Sequence, residues 1–246
     1  MTSRRRLIAV GLVTFIAGLI IVFPARVAYH WFAPEQIVVG GISGSVWSGT
    51  AQNASSSGVY VTNLSWRFKP LRLFTGKLAY AVAARPATGF VEADVGLGFG
   101  GAVHITDLEG AISLQLLEQL AVVRGIRGDA SVRFDRLTIK DGIPVAAEGA
   151  VEVSNLVIPM VAAESIGGYR AEFHPQQDGG VNASVEDTDG ALDLAGRIAL
   201  APDRSYQFRG LIAAKPETPA SLRQQLRFLG TPNDRGQHEL NLDGQL

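Results

Sequence analysis

Past Ala33, apolar residues recur at every second position in short segments that Gly, Asn and Asp interrupt. Neighbouring side chains on a β-strand point to opposite faces, so this spacing describes strands with one buried and one wet face. Leu64, Trp66 and Phe68 alternate with Ser65 and Arg67, and Leu78, Tyr80 and Val82 do the same after the Thr75-Gly76 break. Val91, Ala93, Val95, Leu97 and Phe99 make another row that stops at Gly100-Gly101. Val132, Phe134, Leu137 and Ile139 lead into Lys140-Asp141-Gly142, a hairpin-turn sequence, and Val145, Ala147, Gly149, Val151 and Val153 return along the partner strand. The same logic joins 169–173 to 181–185 and 191–200 to 206–213, with His238, Leu240 and Leu242 beginning a closing strand. Short connections between successive strands predict antiparallel meanders rather than βαβ crossovers. Among the 28 glycines, Gly110, Gly128, Gly149, Gly196 and Gly210 fall in or beside strands, where bulges, bends or close backbone approach are expected. Two short helices are predicted. One covers 113–123, with Leu114, Leu117, Glu118 and Ala121 at helical spacing. The other covers 219–229, with Thr218 as N-cap, Leu222, Leu226 and Leu229 as its apolar stripe and Gly230 as its stop.

The N-terminal part follows different rules. From Leu7 to Phe23 no residue is charged, and Leu7, Ile8, Leu12, Phe15, Ile16, Leu19, Ile20 and Phe23 supply much of the apolar bulk. As a helix this run extends about 25 Å, close to the ~30 Å of a bilayer's hydrocarbon core. Arg4, Arg5 and Arg6 precede it and set the N-terminus in the cytoplasm by the positive-inside rule, while Tyr29, Trp31 and Phe32 provide aromatics for the far interface. A retained signal anchor fits better than a cleaved signal peptide, because the apolar run is long and no A-x-A site follows it. The expected organisation is a short cytoplasmic segment (1–6), a single transmembrane anchor (7–23), a connector (24–35) and an exported, mostly β domain (36–246).

Charge is split along the chain. Four of the 22 basic residues precede position 35, and all 23 acidic residues lie at or beyond Glu35, so 18 basic residues face 23 acidic ones in the exported part. A mildly acidic body argues against nucleic acid as a partner. The absence of Cys excludes disulfides, thiolate metal sites and thiol catalysis. His30, His104, His174 and His238 are isolated, with no metal-ligand spacing between them. The glycines around Gly41-Ile42-Ser43-Gly44-Ser45 lack the spacing of a nucleophile elbow. Gly96-Leu97-Gly98-Phe99-Gly100-Gly101 runs on into a strand, not into the helix a dinucleotide requires. Asp187-Thr188-Asp189-Gly190 starts like a calcium loop but has Ile198 where the closing Glu belongs. No carboxylate pair stands out for acid–base work, so neither an enzyme nor a cofactor is expected.

Several ordered fragments remain. Gly44-Ser45-Val46-Trp47-Ser48-Gly49 is followed by Leu64-Ser65-Trp66-Arg67-Phe68-Lys69-Pro70 and Leu71-Arg72-Leu73-Phe74-Thr75-Gly76-Lys77-Leu78. Leu194-Ala195-Gly196-Arg197-Ile198, Tyr206-Gln207-Phe208-Arg209-Gly210 and Leu226-Arg227-Phe228-Leu229-Gly230-Thr231-Pro232-Asn233-Asp234-Arg235-Gly236 come later. In this order, behind an N-terminal anchor, they resemble the type II (general) secretion system protein N family. Trp47, Gly49, Trp66, Phe68, Pro70, Gly210 and Gly230 carry the resemblance as structural or partner-contact positions. The resemblance implies a single-pass inner-membrane protein of a Gram-negative bacterium with a periplasmic β domain. It further implies a non-enzymatic, accessory role in exporting folded proteins across the outer membrane. Its partners would be other secretion-system proteins, on the inner-membrane platform or the secretin side. A weaker similarity, to AsmA-type envelope proteins, implies a curved, mainly antiparallel sheet with an apolar groove for phospholipid. A curved sheet with an apolar concave face and a closed sandwich both satisfy the alternation.

Overall fold

The structure, a computed structural model, describes residues 2–32, 37–56, 59–86, 88–98, 100–117, 125–160, 162–176 and 179–245. Two helices come first, α1 (Thr2–Ile21) and α2 (Ala25–Phe32), then strands β1 (Ile37–Gly40), β2 (Ser43–Gly44), β3 (Ser48–Ser56) and β4 (Val59–Phe68). A 3-10 turn (Pro70–Thr75) leads to β5 (Lys77–Pro86), β6 (Gly89–Gly98) and β7 (Val103–Ser113), and a second one (Leu114–Leu117) follows. Next come β8 (Arg127–Lys140), β9 (Ile143–Val157), β10 (Tyr169–Pro175), β11 (Val181–Asp187), β12 (Leu192–Leu200) and β13 (Ser205–Ala214). Helix α3 (Ala220–Leu226) tightens into a 3-10 turn (Arg227–Leu229) before β14 (His238–Gln245).

All these strands belong to one 14-stranded sheet in which each strand lies beside its chain neighbour, except that β2 hangs on β3 alone. The pairings are antiparallel throughout. The meander follows from the turn chemistry. Between β8 and β9, Asp141 (φ 51°) and Gly142 (φ 79°) both take left-handed backbone, and Lys140 stands opposite Ile143, giving a two-residue hairpin whose twist matches that of the strands.

Paired residues share a face, so the register sorts the side chains. Leu108, Phe134, Gly149, Phe173, Ala183, Ile198, Phe208 and Leu242 form an unbroken apolar row from β7 to β14. On the other face Glu109 pairs with Arg133 at 3.1 Å, Arg136 with Glu148 at 3.8 Å and Arg170 with Glu152 at 3.9 Å. The sheet is thus amphipathic in a single layer. The accessible surface of the whole chain, the exposed helix α1 included, is 16239 Å², against roughly 10,500 Å² for a compact monomer of 26.1 kDa. A closed sandwich, which the alternation also allows, is not formed: among the described residues the apolar face is covered only near its ends.

Among the described residues three small clusters replace one large core. Helix α2 sets Ala25 and Tyr29 against Ile42, Ala51, Leu64 and Trp66. Helix α3 sets Leu222 and Leu226 against Ile166, Leu192, Tyr169 and Ile212. Between them lie Phe134, Ala147 and Val181, with the Phe134 and Phe173 rings 5.2 Å apart.

Several expectations need correction. Only Leu114–Leu117 of the helix placed at 113–123 is seen, as a 3-10 turn, and 118–123 lie outside the described residues. Helix α3 starts at Ala220 with Pro219 (φ −54°, ψ 144°) at its cap, and Thr218 does not cap it. The buried Thr218 hydroxyl instead donates to the Ala191 carbonyl and accepts the Lys215 N–H at 2.7 Å, fastening the helix to β12. The connector 24–35 contains α2. Gly128 (φ 141°) and Gly149 (φ 155°) do stand at register shifts, but Asn155 (φ 52°) shares the shift of Gly128 on the facing strand, and Asn63 and Asp107, at φ 50–52°, mark others. Short Asn and Asp side chains tolerate left-handed backbone, so they serve where glycine was expected. Asp135 is the extra residue of one such shift, and it returns Leu137 to the face of Phe134.

Helix α1 stops at Ile21, short of Phe23, because Pro24 disfavours helical backbone in the residue before it. Leu7, Ile8, Leu12, Phe15, Ile16, Leu19 and Ile20 are exposed. Among the described residues no helix is long and apolar enough to cross a membrane.

One ion pair ties α3's approach to the sheet. Asp187 accepts the Leu194 N–H at 2.9 Å through Oδ1 and pairs with Lys215 Nζ through Oδ2. The hydrogen bond to Asp187 raises the Lys215 pKa above its usual 10.5. A raised lysine pKa adds stability that is fully present below the unfolded value and is lost as pH climbs through the folded one. Lys215→Met should therefore lower Tm at pH ~8, with the difference from wild type shrinking above pH ~11. An equal difference at both would remove the ion pair from the account.

Candidate functional site

The strongest convergence of the singled-out residues lies at the foot of α1. Gly44-Ser45-Val46-Trp47-Ser48-Gly49 makes a tight reversal between β2 and β3, in which Ser45 N–H donates to Ser48 C=O at 2.9 Å. Ser45 Oγ accepts the N–H groups of Trp47 and Ser48, each at 3.3 Å. This loop grips the end of α1: Ser45 pairs with Pro24, Val46 N–H donates to Phe23 C=O at 3.0 Å, and Trp47 Nε1 donates to Ile20 C=O at 2.7 Å. The last carbonyls of a helix lack the usual partner four residues on; that of Ile20 accepts the Phe23 N–H at 3.3 Å and takes the indole as a second, shorter donor.

The aromatic rings then run onto the sheet. Trp47 lies 4.9 Å from Phe68, and Phe68 lies 5.3 Å from Tyr80, whose phenol pKa burial pushes up. Trp66 Nε1 donates to Ser45 C=O at 3.1 Å, and its ring covers Gly49 so closely that a Cβ there would sit 2.4 Å from it. Pro70 opens the 3-10 turn just beyond, where Lys69 pairs with Asp94. Trp47, Gly49, Trp66, Phe68 and Pro70 are thus gathered beside Ile20 and Phe23. Gly210 and Gly230 are not: Gly210 lies under the Phe208 ring, and Gly230 (φ 105°) ends the turn after α3, its carbonyl 2.9 Å from His238 Nδ1. Sequence reasoning gave Tyr29 to the far membrane interface, whereas its hydroxyl bonds Ile37 and Val39 of β1, and it missed Arg26. Arg26 Nη2 donates to Ile42 C=O at 3.2 Å, and Tyr29 and Arg26 both belong to a helix whose few residues give little periodicity to read.

Trp47→Phe keeps the ring against Phe68 and deletes the donor to Ile20. It should raise hydrogen exchange of the Val46 amide about tenfold, the worth of one hydrogen bond. Unchanged exchange would take the indole out of the junction.

The second feature is the apolar face between α2 and α3, where Leu78 and Leu97 are about half exposed. Aromatic rings lie over glycines across this face, Phe134 on Gly149, Phe208 on Gly196 and Gly210, and Tyr206 on Gly244. Such pairs fill the space a missing side chain leaves. Among the described residues no group of three His, Asp or Glu is placed to hold a metal. His104 Nδ1 sits 3.2 Å from Thr138 Oγ1, within the ladder.

Residues 35–241 match the family described as type II secretion system (T2SS), protein N. Type II secretion system protein N of Aeromonas hydrophila is 23% identical over 97% of each chain. The protein of the same name from Vibrio cholerae is 23% identical over 98% of this chain and 100% of its own. That of Pectobacterium carotovorum is 30% identical over 28% of both. No solved structure matches. The match spans the junction loop and the sheet from β1 into β14, and on that span the chain belongs to the type II secretion system protein N family.

Proposed function

We propose that this protein is a non-enzymatic accessory subunit of the type II secretion system. It is held in the inner membrane by α1 with the N-terminus cytoplasmic, and its periplasmic sheet docks other components of the machine during export of folded proteins. The family match along nearly the whole chain carries this reading. Two structural features support its finer parts. The exposed apolar side chains of α1 suit lipid, and the Trp47–Ile20 junction would transmit the position of the anchor directly to the sheet. The half-exposed Leu78, Leu97 and Leu242 of the apolar face suit a partner's apolar surface.

In-cell photo-crosslinking from Leu78 and Leu97 on the apolar face, with Arg133 on the polar face as control, tests this. Secretion-system proteins should be captured from the first two positions and not the third. Capture of none would sink the docking role. The same uncovered face favours a second reading, an AsmA-like module that handles phospholipid. Native mass spectrometry should then find lipid bound to gently purified protein, and a consistently lipid-free sample would dispose of it.

A further inference from the structure

The two edges of the sheet differ. At β1, Tyr29 of α2 closes the outer side: its hydroxyl donates to Ile37 C=O at 2.8 Å and accepts the Val39 N–H at 3.1 Å. Residues two apart on a strand present their backbone groups to the same side, and β3 holds the other side, so these are the groups an added strand would need. Edge strands invite further pairing unless something blocks it, and here a tyrosine does.

At β14, among the described residues, nothing does. Ala201 N–H donates to Ser205 C=O at 2.9 Å, which makes them a hydrogen-bonded pair at the start of an unshifted β12–β13 ladder. The strict alternation of antiparallel pairing then turns the backbone groups of Tyr206, Phe208, Gly210 and Ile212 toward β14. Their partners Gly244, Leu242, Leu240 and His238 answer them, so Glu239, Asn241 and Asp243 point their N–H and C=O groups outward. The strand is regular over its length and carries no Pro, Lys or bulge; its charged residues are the two acids Glu239 and Asp243.

The side chains say what would fit. On the polar face most acids stand opposite bases, Glu109 opposite Arg133, Glu148 opposite Arg136, and Arg170 between Glu152 and Glu186, although Glu92 faces Glu109 and, next to β14, Arg197 faces Arg209. Glu239 and Asp243 lie on that face and form no ion pair among the described residues. Leu240 and Leu242 lie on the apolar face, Leu242 being 53% exposed. A second copy fits poorly, since antiparallel pairing about Asn241 would set Glu239 against Asp243 twice, and like charges directly opposite destabilise.

We propose that β14 is a strand-addition edge for an extended peptide segment of a partner protein, with Lys or Arg at alternate positions and apolar residues between them. Such a segment continues both faces of the sheet and takes up the free backbone groups. The inference rests on the edge itself and not on the secretion reading, so its failure leaves that reading intact.

The test is fluorescence anisotropy with full-length protein in detergent and two labelled probes, an alternating Lys-Val peptide and an alternating Glu-Val peptide. Wild type should bind Lys-Val about tenfold more tightly than Glu-Val. Asn241→Pro removes only an outward N–H and should weaken Lys-Val binding about tenfold while leaving the circular dichroism spectrum unchanged. The surface double variant Glu239→Lys/Asp243→Lys should reverse the preference, which keeps the test decisive even if the proline variant misfolds. Equal binding of both probes by wild type, or an unreversed preference in the double variant, would overturn the proposal. So would a dimer that Asn241→Pro dissolves without peptide, which would assign the edge to a second copy.

Discussion

Gly149→Val should lose most of the stability of the sheet, a drop of about 3–5 kcal/mol against a typical total of about 5–15. Gly149 has φ 155°, a backbone conformation that side chains rarely adopt, and it stands at the register shift opposite Phe134. A Cβ there would sit 2.2 Å from the Arg133 carbonyl oxygen and 2.6 Å from Phe134 Cα. Both are backbone atoms, so no rotamer change relieves the contact. The strain falls where Phe134 and Phe173 meet across β9, in the cluster that neither helix covers. Urea unfolding followed by tryptophan fluorescence measures it, and a midpoint within error of wild type would mean the sheet does not need this close approach. Gly142, also at positive φ but with open space around the added atom, is the matched control and should cost far less on substitution by alanine.

Leu222→Ala is the second large effect, about 2–5 kcal/mol, the usual cost of truncating a fully buried leucine. Leu222 is 2% exposed and packs with Ile166, Leu192 and Leu226. Here the loss should be local. Helix α3 is short, with no capping side chain, so packing rather than intrinsic helix propensity holds it on the sheet. Hydrogen exchange should rise first in α3 and the ends of β12 and β13, while β8 and β9 stay protected. Retained protection in α3 would show that the Thr218 bridge and the Lys215–Asp187 pair suffice to hold it. Arg227 and Phe228, exposed beyond the helix, should tolerate alanine with changes below about 0.5 kcal/mol.

Much of the sheet is legible in the amino-acid order alone. The hairpins across Asp141-Gly142 and Pro202-Asp203-Arg204 follow from turn chemistry and period-two alternation, which act within a few residues. The irregularities are harder to read. Glycine identity points correctly to Gly128 and Gly149, but Asn63, Asp107 and Asn155 play the same part without a distinctive signal, since Asn and Asp are common in ordinary turns. The helix leading to Leu229 is legible from its leucines. Its start is not, because Thr218 looks like a cap and spends its hydroxyl elsewhere.

The motif residues divide the same way. Trp47, Gly49, Trp66 and Phe68 stand out as a string, yet nothing local indicates that Trp47 would reach back to Ile20 or that Trp66 would lie over Gly49. Those contacts join residues more than fifteen positions apart and depend on where β2 and β3 turn.

By itself the sequence determined that this chain makes a meander of amphipathic strands behind an apolar N-terminal run, and its ordered motifs pointed to the right family. Alternation and turn residues act locally and survive whatever the strands pack against. Only the tertiary structure decided that the sheet stays a single layer, that a loop tryptophan joins it to α1, and that Tyr29 closes one edge while β14 stays open. The physical reason is that a strand's pattern specifies which face is apolar but not what covers it, and an edge is known only once every other strand has found its neighbour.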